Sequence, residues 1–98
     1  MSSLHRISES EFERIVRGIV EDRETIIKHN PIGTREEILL WMLSASLFSY
    51  LSLSELETPC FSGSVDADTY REAIGFILKN RKESEFDHAK YLNEFVNV

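Results

Sequence analysis

Residues 38–54 run for seventeen positions without a charged side chain. A run like that either crosses a membrane or lies at the centre of a soluble fold. Crossing takes about 20 predominantly apolar residues. This run falls short of that, and Ser44, Ser46, Ser49, Ser52 and Ser54 dilute it. Strongly basic flanks, which would orient a membrane helix, are also missing. The expectation is therefore a buried helix over 35–54, covered by other helices because it has no polar face to turn to water. Thr34-Arg35-Glu36-Glu37 ahead of it has the spacing of a capping box, just after Gly33. Ala45, Ser49 and Ser52 share one strip with Ile38 beside them, and small side chains there let a neighbouring helix approach closely. Leu51 and Leu53 alternate briefly with serines as in a strand, but Phe48 and Tyr50 break that alternation.

Three further segments carry helical signals. Ser8-Glu9-Ser10-Glu11 is another capping box, and Phe12, Ile15, Val16, Ile19, Val20, Ile26 and Ile27 follow at three- and four-residue spacing. That first helix is expected to run to His29-Asn30, where Pro31 disfavours helical geometry in the residue before it. Gly18 inside it suggests a closely packed neighbour. The four residues to Gly33 make the first and second helices antiparallel neighbours. Residues 55–65, punctuated by Pro59 and Gly63, read as a loop. A third helix capped by Ser64 or Asp66 carries Tyr70, Ala73, Ile74, Ile77 and Leu78 to about Lys82. Ser84 and Asp87 read as the start of a last helix with the stripe Ala89, Leu92, Phe95 and Val96.

A chain of 98 residues makes a single domain, 1–98, that buries roughly 60–65% of its unfolded surface. The fold class is all-α: an antiparallel bundle of about four helices around the apolar second one. Three short neighbours cover such a helix poorly. A homodimer is therefore expected to bury the rest, with Trp41, Phe48 or Tyr50 near the seam.

The net charge is −6, and its origin is local. No Lys or Arg lies between Arg35 and Arg71, while Glu36, Glu37, Glu55, Glu57, Asp66 and Asp68 all do. The other eleven acids balance the eleven bases. An acidic surface repels phosphate backbones and anionic lipids, so neither nucleic acid nor membrane is expected as a partner. A basic protein partner suits it. Nothing at the N-terminus reads as a signal peptide, and a cytoplasmic protein is the expectation.

Motifs for chemistry are sparse. Glu85 and His88 have the Glu-x-x-His spacing of di-iron bundles, but the second such pair those sites need is absent. A solvated pair explains it, and neither metal nor cofactor is expected. Cys60 has no histidine near in sequence to hold it as thiolate. The serines of the second helix lack a nucleophile elbow and are expected to bond back to i−4 carbonyls. The glycines at 18, 33, 63 and 75 are isolated, so no phosphate loop exists. The octet Glu-Ser-Glu-Phe-Glu-Arg-Ile-Val at 9–16, with the chain's size and acidity, looks like the small four-helix immunity proteins that block nuclease toxins. The adjacent tyrosine pair that family uses for recognition is missing, since Tyr50, Tyr70 and Tyr91 stand apart, and membership is not assigned.

What remains is a small acidic helical interaction or regulatory module without catalytic activity. Its partner surface is expected at Glu55, Glu57, Phe61, Asp66 and Asp68, where carboxylates surround apolar anchors. The alternative is a bundle holding an apolar small molecule or cofactor against Trp41, Phe48 and Tyr50.

Overall fold

The computed structural model describes residues 6–30, 33–58, 61 and 66–97, and they are helical with no strand among them. The helices are α1 (Glu9–Glu21), α2 (Arg23–His29), α3 (Arg35–Leu47), α4 (Leu53–Leu56), α5 (Ala67–Arg81) and α6 (His88–Val96), with a 3₁₀ turn at Phe48–Tyr50. Both expected capping boxes form. The Glu11 and Glu37 amides donate to the Ser8 and Thr34 hydroxyl oxygens at 3.1 Å each, and the carboxylates answer the cap amides. Gly33 adopts a φ of 98°, which a side chain would resist.

Two expected helices are interrupted. The first breaks at Asp22, which ends α1 and begins α2. Arg23 reaches back to the Val20 carbonyl at 2.7 Å and so satisfies an acceptor at the break. A Cβ at Gly18 would meet nothing within 4 Å, so close packing does not explain that glycine. The second helix stops at Leu47 rather than near 54. Leu51 turns extended, and Ser52 and Glu55 form a third capping box that opens α4. Asp87 caps α6 by accepting from the Ala89 amide, and Ser84 lies outside that helix.

Polar contacts fix the helix directions. The Tyr50 hydroxyl, just beyond α3, donates to Glu11 at the start of α1 at 3.0 Å, so α1 and α3 are antiparallel as expected. Arg71 near the start of α5 pairs with Glu36 at the start of α3. Arg81 at the end of α5 donates to the Tyr50 carbonyl at 3.1 Å. Matching ends therefore make α3 and α5 parallel. The Tyr91 hydroxyl near the start of α6 donates toward Glu9 and Glu13, while Asn97 shares a cleft with Val20 and Glu21, so α6 runs parallel to α1. The sense is up, down, down, up, and the simple antiparallel alternation is corrected. The segment from Leu51 to Asp66, with α4 helical within it, still spans up to about 40 Å. That easily returns the chain past a helix of about 20 Å.

The core joins Phe12, Val16 and Ile19 of α1, four leucines of α3 (Leu39, Leu40, Leu43, Leu47), Ile74, Ile77 and Leu78 of α5, and Tyr91 and Phe95 of α6. Helix α3 is central, with Ile38 and Ser44 buried as well. Ile7, fully buried, ties the N-terminal segment to the end of α5. Its amide donates to Arg81 O at 2.6 Å and its carbonyl accepts from Glu83 N at 2.7 Å.

Candidate functional site

The acidic stretch between Arg35 and Arg71 is largely consumed by the fold. Glu36 pairs with Arg71, and Glu37 closes the α3 capping box. Asp66 caps α5 by accepting from the Asp68 amide at 2.9 Å. Glu55 accepts from the Ser52 amide at 2.8 Å and pairs with Arg81, and the Ser52 bond foremost holds its carboxyl below the ordinary carboxylate range. Bases from outside the stretch thus meet acids inside it. Glu57, Asp66 and Asp68 are exposed.

Phe61 is half-buried rather than displayed. Its ring lies edge-on to Phe48 at 5.4 Å and to Phe76 at 5.8 Å, which pins the returning connection between the 3₁₀ turn and α5. Cys60 and Val65, which flank the expected anchors, lie outside the described residues. The sequence reading missed Leu53, 81% exposed on α4. Its four-residue helix is held by Glu55 beneath and by the Thr58 hydroxyl, which donates to the Glu55 carbonyl at 3.0 Å. The signal was legible: Ser52-Leu53-Ser54-Glu55 repeats the pattern of the other two capping boxes.

The three residues expected at a seam or pocket go separate ways. Trp41 is 39% exposed on α3, on the side where Ala45 and Ser49 are exposed too. Phe48 packs on Phe61. Tyr50 spans α1 and α5 through its hydroxyl and carbonyl, and burial, then Glu11, pushes its phenol up. The buried Ser44 hydroxyl donates to the Trp41 carbonyl and the Ser46 hydroxyl to that of Met42, both at 2.9 Å, so these serines serve the helix itself.

A second constellation, unforeseen from sequence, joins α1 and α6. The Tyr91 hydroxyl stands 2.8 Å from Glu9 Oε2 and 3.0 Å from Glu13 Oε2, and these two carboxylates, with burial, push the phenol far above its ordinary range. Beneath it, Phe12 meets the Tyr91 ring edge-on at 5.6 Å and Phe86 at 5.8 Å. Beside it runs an open cleft of about 590 Å³ with Val16, Val20 and Tyr91 among its lining residues and Glu21, Lys90 and Glu94 also along it. Its residues come from α1 and from α6 and the residue after it, far apart in the chain, which no sequence period reveals.

Among the described residues no group of three His, Cys, Asp or Glu side chains gathers to hold a metal. Glu85 pairs with Lys82 at 3.2 Å, whereas the Nδ1 of His88 is buried without a hydrogen-bond partner. No helix among the described residues is long and apolar enough to cross a membrane. Comparison with protein-family models, curated proteins and solved structures finds no significant match.

Proposed function

We propose that this chain is a non-catalytic interaction module that meets a basic protein partner through α4 and the segment after it. The observation that carries this reading is Leu53. A large apolar side chain, 81% exposed, sits on a helix too short to persist alone and is held in place by Glu55 and Arg81. Preordering the knob before encounter lowers the entropy lost on binding. Glu57, Asp66 and Asp68 supply exposed negative charge in the same segment, where charge steers association and the apolar contact supplies affinity. Burying Leu53 is worth roughly 1.5–3 kcal/mol. Its removal should then weaken binding by about ten- to 150-fold. The exposed strip at Trp41, Ala45 and Ser49 supports self-association of the module as a homodimer in the cytoplasm.

A photo-crosslinking residue at position 53, introduced in the native host, tests the reading. Covalent capture of one basic polypeptide from position 53, and not from exposed Lys79, supports it. Equal capture from both positions, or none, refutes the partner reading, and self-crosslinks alone reduce it to the dimer.

The cleft between α1 and α6 favours a second reading, in which an apolar small molecule lies over Val16 and Val20. Native mass spectrometry of host-purified protein would then show a small added mass that Val16→Asp abolishes.

A further inference from the structure

Helix α6 is attached to the rest of the fold mainly along one face, through Tyr91 and Phe95, and begins at a histidine with a covered ring nitrogen that has no hydrogen-bond partner. His88 is half-buried, and its Nδ1 is fully covered and unpartnered. A neutral imidazole tolerates this as the Nε2–H tautomer, with Nδ1 a bare acceptor. Protonation would place an N–H at Nδ1 with no acceptor within reach, and a buried donor left unsatisfied is costly. The added charge would also fall in the first turn of α6, the positive end of the helix dipole.

The surroundings reinforce this. Lys82, from the segment before α6, is the cation that acts on the ring, and Asp87 opposes it more weakly. Asp87 is also occupied as the helix cap. Arg6 donates to the Lys82 carbonyl at 3.1 Å, adding a second cation to that corner, while Glu85 is drawn onto Lys82. From α1, Glu9 and Glu13 are turned onto the Tyr91 hydroxyl, and Glu21 lies along the far end of the α1–α6 cleft, with Asn97. Helix α3 carries Arg35, Glu36 and Glu37 only in its first turn, at the end of the bundle away from the start of α1. Arg81 is committed to Tyr50 and Glu55. Glu83, in the same segment, is exposed to solvent, and among the described residues no acceptor meets the buried Nδ1.

We infer that His88 is an acid-sensitive latch: protonation at its buried Nδ1 loosens the docking of α6 on α1 and α3 while the rest of the bundle stays folded. Burial, then Lys82, holds the ring below its ordinary value of 6.5 in the docked state. A group so depressed favours docking above 6.5, and that contribution fades as pH falls through 6.5 toward the docked value. An undocked imidazole titrating at 6.5 limits the effect at pH 5.5 to about a tenfold loss of docking equilibrium relative to pH 7.5. Release would uncover Phe12 and Phe95, both fully buried in the docked fold.

Amide exchange followed by NMR at pH 7.5 and 5.5, corrected for intrinsic rates, tests this. Protection at Tyr91, Leu92 and Phe95 should fall several-fold, up to about tenfold. Leu40 and Leu43 of α3 should hold theirs. In His88→Gln, α6 protection should no longer depend on pH over that range. An equal fall in the variant, or a fall shared by α3, overturns the latch. A side-chain NMR titration of His88 in the unaltered protein gives an answer independent of the variant: a midpoint at or above 6.5 would also overturn it.

Discussion

Phe12 offers the sharpest test of how the helices meet. It is fully buried and its ring touches Phe86 at 5.8 Å, from the connection ahead of α6, and Tyr91 at 5.6 Å, from α6 itself. The three aromatics come together only if α6 lies alongside α1 in the same direction. Phe12→Leu keeps an apolar side chain but removes two ring pairs, each worth about 0.5–1.5 kcal/mol beyond area burial. The total is about 1–3 kcal/mol, a large share of the roughly 5–15 kcal/mol that stabilises a domain of this size. For about 100 residues that lowers Tm by roughly 4–8 °C per kcal/mol. The decisive assay is a double-mutant cycle. Chemical unfolding of the wild type, Phe12→Leu, Phe86→Leu and the double variant should yield a coupling of about 0.5–1.5 kcal/mol, because the two rings share one contact. Additivity within about 0.3 kcal/mol, as for residues that do not touch, would refute the packing of the connection ahead of α6 against α1.

Four more outcomes are expected. Gly33→Ala should destabilise by about 1–3 kcal/mol in urea unfolding. A side chain at that φ costs about 1–2 kcal/mol, and its Cβ would stand 3.1 Å from the Glu37 oxygen that closes the cap. Gly18→Ala should instead stabilise by about 1 kcal/mol, because its surroundings are open and the helix gains propensity. The carboxyls of Glu11 and Glu55 are held below their ordinary 4.5, chiefly by the Ser8 and Ser52 amides. Their contribution is present above 4.5 and lost as pH falls below it, so stability measured from pH 6 to 3 should fall less steeply in Glu55→Gln than in the wild type. Leu53→Asp should leave thermal stability within about 0.5 kcal/mol of wild type, since an 81% exposed side chain contributes little to folding.

Local chemistry was legible in the residues. Ser8 with Glu11 and Thr34 with Glu37 announce two helix starts, and α3 reads as central because residues 38–47 lack any polar face. Ser52 with Glu55 announces a third start in the same code. The apolar run through Leu51 and Leu53 masks it, because hydrophobic continuity looks the same across a helix and across a turn that interrupts it. The acidic stretch was visible as composition, but its use was not. Composition counts charges without pairing them, and the partners Arg71 and Arg81 lie outside the stretch.

The sequence by itself determined that the chain folds as helices, where most of them start, and which one is wrapped by the others. These follow from interactions within a turn or two, where spacing along the chain is spacing in space. Only the tertiary structure decided that α5 runs parallel to α3, that Tyr91 lies against Glu9 and Glu13 some 80 residues away, and that His88 has a covered nitrogen with no partner. Each of these depends on which way a long connection returns. Many paths satisfy the same local preferences, and the choice among them is made by the packing of side chains far apart in the chain.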